Sequence, residues 1–539
     1  MRLLVVGNPV VHLDTADGVL WDGALAVKDG RIESIGPRSE LEAGSYDRVL
    51  GGDDHFVLPG LINAHFHSET ALTRGVSSGR TFERSNIWMH RLLGPIDEDD
   101  LLNATLVRLA QIVRGGQTGV LDVVYGRPSL PELGLQTLLE AYAGIGLRVA
   151  LGVATRDQNV YVHQPDAEFL AAVPPALAEE VRRSPIGYAW PVDAVLETFR
   201  SLADRWHGRD GRIALALAPD WAPSCSDDLY LRSARVAEEF ATGLTTHALE
   251  TRWELLFHLE RYGETPIQRL DRLGVLRPNV TLAHCVWATD EDLRLAAARD
   301  VVIAHSPAAN LRSSSGICRI ADFLRMGGSV GIATDGNGFS ESDDLLAELR
   351  LASLLQRQPA NFASKRIPSA TLFRSALLAG AQAIGGEERV GRLARGCDAD
   401  LVLYRSDAFW PSHRYAGSNP LDVILDRANA SELRAVLVRG RVLFEDGRIT
   451  TIDEERVRAK FADAAANRLW RALDDAERRW IHDVPRRLEP YVDAFYERWA
   501  AAEMPPGHAY NTVAETPEEI AHGRKVGADA AARAADHLE

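Results

Sequence analysis

Short apolar runs broken by glycine-containing turns open the chain: LLVVG, GALAVKDG, RIESIG and FVLPG all fall within the first 59 residues. Runs this short, punctuated by DG and GG, predict hairpin strands and not helices. The same rhythm returns in DADLVLYR, LRAVLVRG and RVLFEDGRI, over roughly residues 398–449. Two β segments so far apart predict one small β-sandwich domain built from both flanks, residues 1–59 and 386–450.

Between them the pattern changes. Apolar runs of four to seven residues alternate with segments whose apolar positions recur at i, i+3 or i+4, and i+7, the signature of buried strands followed by amphipathic helices. Eight such strands are expected, ending near Ala64, Val124, Val153, Ala218, Thr246, Ala283, Ala304 and Thr334. After the first comes a helix over Asp99–Arg114, with Leu102, Leu106, Leu109 and Val113 on one face. Eight β-then-α units predict an α/β fold, a (β/α)8 TIM-like barrel spanning residues 60–385. The remaining segment, 451–539, begins as RVRAKFADAAANRLWRALDDAERRWIHDV and predicts a helical C-terminal extension. Packing on the barrel or on a neighbouring subunit is the expected role; a lid over the site is the alternative.

In such a barrel, function gathers where the strands end. The expected strand ends read NAHFHSE, TTHALE, LAHCV, IAHSPAAN and IATDGNG. His65 and His67 flank Phe66, so on an extended backbone both imidazoles point to one side. An HxH pair alone is also compatible with two satisfied core histidines. Convergence changes this, because His247, His284 and Asp335 arrive at the same end of the barrel from three other strands. Imidazole and carboxylate donors suit one divalent metal, zinc foremost with iron or manganese as alternatives, and an open position for water makes the site catalytic in type.

Composition narrows the partners. The chain has 539 residues, 46% hydrophobic and 25% charged, with a formal net charge of -16. An acidic excess repels phosphates, so neither a nucleic-acid nor an anionic membrane partner is expected. A small neutral or cationic molecule fits better. The four cysteines, Cys225, Cys285, Cys318 and Cys397, form no CxxC pair and predict structural thiols in a reducing compartment. MRLLVVGNPVVHL carries no positively charged region followed by an apolar stretch and a cleavage site, and no apolar run reaches a membrane span of about 18 residues, so a cytoplasmic location is expected.

PGLINAHFH, HALE, AHCVW, HSPAAN and ATDG, in this order, resemble the amidohydrolase superfamily. The branch is that of the cytosine, guanine and S-adenosylhomocysteine or methylthioadenosine deaminases and the triazine hydrolases. The resemblance runs from residue 1 to about 450. It implies that His65, His67, His247 and Asp335 are metal ligands, that Asp335 also takes a proton from the attacking water, and that His284 contacts that water or the forming oxyanion. It implies that Glu250 shuttles a proton to a ring nitrogen. Binuclear barrels of this kind commonly use a strand lysine, and Lys28, Lys365, Lys460 and Lys525 all lie off the barrel strands, so one metal is expected.

The activity implied is hydrolytic deamination of an amino-substituted N-heterocycle of purine, pterin, pyrimidine or triazine type. Removal of chloride or opening of a cyclic amide at the same site is the enzymatic alternative, and a non-catalytic assembly protein on the same fold the remote one. Substrate contacts are sought in Glu83, Trp88, Arg156, Asp157 and His163, from the loops after strands 1 and 3, and in His305 and Asn310 of HSPAAN. Arg148 begins strand 3, at the end of the barrel away from the site, and is expected to be structural. The loop SSGRTFERSNIWMHRLL departs from the deaminase pattern and leaves the heterocycle open. By analogy with such barrels, a homo-oligomer is expected.

Overall fold

Eight parallel strands curl into one sheet, in chain order Leu61–His67, Gln117–Val124, Arg148–Thr155, Ile213–Pro219, Leu244–Ala248, Val280–His284, Val302–His305 and Ser329–Ile332. The computed structural model describes residues 1–15, 18–75, 79–89, 97–126, 130–184, 191–357, 366–407, 419–464, 479 and 483–504. Each strand hydrogen-bonds its predecessor, and a short continuation of the last, Asp335–Gly336, pairs with the first, opposite Phe66 and His67. That pairing makes the sheet a TIM-like barrel. The Asn63 side chain stitches the seam: its amide donates to Gln117 Oε1 and Thr334 Oγ1, and its oxygen accepts from the Thr334 backbone.

The strand ends agree with the sequence pattern to within a few residues, and the largest difference is informative. The first strand runs through His67, three residues beyond Ala64. Pairing of Phe66 with Asp122 on one side and Asp335 on the other keeps the backbone extended there. Both histidines are therefore on a strand, as their shared direction requires.

The helix after this strand spans Glu98–Arg114, capped by Asp97, which accepts from the Asp100 backbone. Its buried face is rotated from the expected one: Leu102 is only partly buried, while Arg108 is fully buried beside Leu109, Ile112 and Val113. A buried arginine on an apolar face has no periodicity signal.

The two flanking β segments form a four-stranded and a seven-stranded sheet, whose residues Leu3, Val5, Leu25, Val57, Leu401 and Leu437 share one apolar cluster. The flanks meet where His55–Pro59 pairs antiparallel with Leu401–Arg405. The chain passes from there into the barrel through Gly60, where a Cβ would lie 2.2 Å from the Thr118 hydroxyl, so only glycine fits. Arg148 ties this β region to the barrel floor, its guanidinium donating to Asp400 (3.0 Å), Asp398 (2.8 Å) and the Gly211 carbonyl (2.6 Å).

Two helices of the C-terminal segment are described. Glu454–Ala464 lies along the Glu98–Arg114 helix through Arg114–Glu454 and Lys460–Asp99 pairs, and Val484–Glu497 lies at the other end of the barrel. Much of the expected helix RVRAKFADAAANRLWRALDDAERRWIHDV lies outside the described residues. No helix among the described residues is long and apolar enough to cross a membrane.

Arg148 is buried with both its carboxylates, and although Asp398 keeps Arg389 at 2.7 Å, removing Arg148 leaves the buried Asp400 without its counter-ion. Arg148→Met is expected to lower unfolding free energy by about 3–5 kcal/mol, read from urea denaturation; a loss below about 1 kcal/mol, the worth of an exposed pair, would contradict this role.

Candidate active site

Four imidazoles and one carboxylate converge at the C-terminal mouth of the barrel. His65 Nε2 lies 3.1 Å from His67 Nε2, and Asp335 Oδ1 lies 3.3 Å from His67 Nε2 and 3.7 Å from His65 Nε2. One nitrogen each of His65, His247 and His284 lies within 4.8 Å of the other two. All five residues are buried.

The orientation of three of the four rings is fixed from behind. His67 Nδ1–H donates to the Val123 carbonyl at 2.5 Å, His247 Nδ1–H to the Asp220 carbonyl at 2.6 Å, and His284 Nδ1–H to Asn310 Oδ1 at 2.9 Å. Each bond leaves Nε2 as a bare lone pair. Lone pairs and a carboxylate facing one another this closely repel unless a cation sits among them. The donor set therefore fits a divalent transition metal, with the outward nitrogens anchored as metal-binding histidines usually are.

Electrostatics point the same way for His65, Asp335 and His284, whereas at His247 the neighbouring Asp220 outweighs burial and raises the ring. Burial, reinforced by the neighbouring His247 and His67, holds His65 well below its usual range and so unprotonated. Burial alone would raise the Asp335 carboxyl, but the facing imidazoles of His67, His284 and His65 hold it well below the carboxylate range. His284 is brought down to about 4 by burial, against the opposing pull of Asp335.

Backbone strain marks the mouth. Leu249, His284, Cys285 and Asp335 all have positive φ, between 48° and 74°. Non-glycine residues adopt this region at a cost of about 1–3 kcal/mol each, and here the turn re-aims the side chain at the strand end. Arg108 supports the turn at Asp335 by donating to its carbonyl at 2.8 Å and to Thr70 Oγ1 at 2.9 Å. The Thr70 hydroxyl in turn donates to the His67 carbonyl.

Glu250 follows the fifth strand in a loop whose amides are held by another carboxylate. Glu254 accepts from the backbone N–H of Leu249 (2.7 Å) and Glu250 (2.9 Å), and from Trp221 Nε1 at 3.3 Å. Burial pushes Glu254 up to about 7. Glu250 is pushed well above its usual range by burial first and then by the field of Asp335, Glu254, Glu83 and Asp220. Its Oε2 lies 3.7 Å from His284 Nε2 and, among the described residues, has no hydrogen-bond partner. Such a carboxyl, raised by burial and without a partner at Oε2, has the features of a general acid.

Around this centre lies a pocket walled by Thr70, Phe82, Asn86, Tyr125, Arg156, Trp221 and Phe339. Of the residues sought for substrate contact, Arg156 alone lies in that wall. Its Nε donates to Asp220 Oδ2 at 2.5 Å. Asn310 acts one step back, through His284, and His305 is buried outside the wall.

The other four do not line that pocket. Asp157 accepts from the backbone and hydroxyl of Ser226, the N-cap of the Asp227–Glu239 helix, and Trp88 donates to Glu489. His163 packs among Trp221, Phe257 and Tyr496, and Glu83 is buried beside Thr251 and Thr81.

Asp220 was missed by sequence reasoning though it obeys the rule that found the others: in APDW it directly follows the fourth strand, between Arg156, the Tyr125 hydroxyl and His247. Glu254 and Arg108 gave no signal, since a charged helical residue reads as solvated until its neighbours are known.

A family model described as "Amidohydrolase family" matches residues 56–443. Among curated proteins, a 5-methylthioadenosine/S-adenosylhomocysteine deaminase of Syntrophobacter fumaroxidans is 30% identical over 84% of this chain and 95% of its own. A 5'-deoxyadenosine deaminase of Methanopyrus kandleri is 27% identical over 85% and 97%. Among solved structures, a zinc-bound adenosine deaminase of Xanthomonas campestris superposes with a TM-score of 0.74 at 25% identity, covering 87% of this chain and 98% of its own. The zinc complex of the atrazine chlorohydrolase of Arthrobacter aurescens gives 0.74 at 25%, covering 86% and 100%.

Asn310→Leu removes the acceptor that fixes the His284 tautomer. Turnover is expected to fall about 10- to 100-fold with metal content unchanged, measured by steady-state kinetics beside elemental analysis; a change under about threefold would detach Asn310 from the site.

Proposed function

The chain belongs to the amidohydrolase family, and on that premise we propose that it hydrolytically removes the exocyclic amino group of an adenine-type N-heterocycle, releasing ammonia. The observation that carries this is Glu250: a buried carboxyl with a free Oε2 beside His284, at the edge of the histidine–aspartate cluster. The deaminase names of its relatives support the choice of substrate class.

His65, His67, His247 and Asp335 would hold one divalent ion, zinc first, as the zinc-bound neighbours support. Such an ion, when bound, brings the pKa of water toward neutrality. The chain's own groups then divide the proton work. Asp335, ionised, accepts a proton from the attacking water. Glu250, neutral, donates from Oε2 to the ring nitrogen next to the carbon attacked, so that the ring accepts electron density without becoming an anion. His284 Nε2, a bare lone pair, accepts a hydrogen bond from the attacking water and orients it. The proton taken by Asp335 then passes to the exocyclic nitrogen, the C–N bond breaks with release of ammonia, and the proton of the added hydroxyl restores Glu250.

The apolar wall of Phe82, Trp221 and Phe339 suits a flat heteroaromatic ring, and the acidic chain suits a neutral or cationic one. The equal TM-score to the atrazine chlorohydrolase favours a second reading, in which the same centre displaces chloride. Alongside this function, we take residues 1–59 with 386–450, 60–385 and 451–539 as the three units of the chain.

Protein purified without chelator is expected to carry about one equivalent of transition metal, and less than about a tenth by elemental analysis would sink the proposal. Glu250→Gln should keep the metal and lose at least about 100-fold in ammonia release from an aminopurine nucleoside. Near-normal turnover in that variant would remove Glu250 from the chemistry.

A further inference from the structure

Helix Phe82–Met89 supplies Phe82 and Asn86 to the pocket wall. The Phe82 ring lies 5.1 Å from Trp221 and 5.7 Å from Phe339, an aromatic corner facing the metal-type cluster. A helix of eight residues does not hold itself together in water. One anchor is the Phe82 N–H, which donates to the Ser313 carbonyl at 3.1 Å.

The other grip comes from the C-terminal helix Val484–Glu497, which lies past residue 443 where the family match stops. Asp493 receives a forked pair from Arg84, at 2.8 and 2.6 Å. Glu489 Oε1 accepts from Trp88 Nε1 at 2.6 Å and Arg80 Nε at 3.3 Å, with the Arg80 guanidinium 4.3 Å above the Trp88 ring. Beneath these polar contacts, Ile87 shares one buried cluster with Leu488, Val492 and Tyr496.

A second contact reaches the pocket from behind. Tyr496 meets His163 edge-on at 5.2 Å, and His163 packs at 4.5 Å on Trp221. Apolar contact alone would let one helix slide along the other. The Arg84 fork and the paired donors on Glu489 are directional, and they fix the register of the short helix.

We propose that the C-terminal helix is a specificity-determining wall of the active site: Glu489 and Asp493 are positioning residues that set Phe82 and Asn86 against Trp221 and so decide which flat heterocycles the pocket retains. The inference rests on the deaminase reading for its kinetic test alone.

The experiment is a charge swap in the full-length chain. Arg84→Asp and Asp493→Arg, singly, should each raise KM for an aminopurine nucleoside about tenfold, the scale of one charge-assisted hydrogen bond, with kcat changed less than about threefold. Hydrogen exchange of the amides of residues 82–89 should quicken in both. The double variant Arg84→Asp/Asp493→Arg should restore KM and exchange. Arg487→Ala, on the same helix but paired with exposed Glu180, should leave both as they were. Unchanged KM and exchange in the single variants, or no recovery in the swap, would overturn the proposal. If the unaltered enzyme deaminates no aminated heterocycle, the deaminase reading fails and the exchange arm alone decides the wall: quickened exchange restored by the swap supports it, and unaltered exchange rejects it.

Discussion

The site depends on closure of the barrel seam. His65 and His67 belong to the first strand and Asp335 to the last, some 270 residues later, and they share one centre because Asp335–Gly336 pairs with Phe66–His67. Asn63 holds that seam two residues below His65, bridging to Thr334 and Gln117. A sheet closed on itself brings all its strand ends to one mouth, and the other histidines arrive there by the same geometry.

Around that closure, the physical problem is desolvation. A cluster of imidazoles and carboxylates kept from water is costly unless every polar atom has a partner. The chain meets this with groups that contact no substrate: the Val123 and Asp220 carbonyls and Asn310 behind the rings, Glu254 beneath two loop amides, and Arg108 under the strained turn at Asp335. Glu250 Oε2, left without such support among the described residues, belongs to a carboxyl that lines the pocket.

The regions beyond the barrel serve it at opposite ends. Below, Arg148 joins the barrel floor to the β region through Asp398 and Asp400. Above, the helix Val484–Glu497 packs on the short helix that carries Phe82. The aromatic wall therefore depends on residues remote in sequence from the strand-end motifs.

The sequence by itself determined the eight strands and the residues at their ends. Strand burial imposes a short-range apolar rhythm, and a barrel sends function to a known position on each strand, so His65, His67, His247, Glu250, His284 and Asp335 were all legible. Tertiary structure alone decided what stands behind and around them. Arg108 and Glu254 are charged helical residues that resemble any solvated face until the packing is known, and Asp157, Trp88 and His163 lie on the expected loops but turn toward other elements. Side-chain direction in a loop is set by whichever neighbour offers the better partner, and local periodicity carries no record of that neighbour.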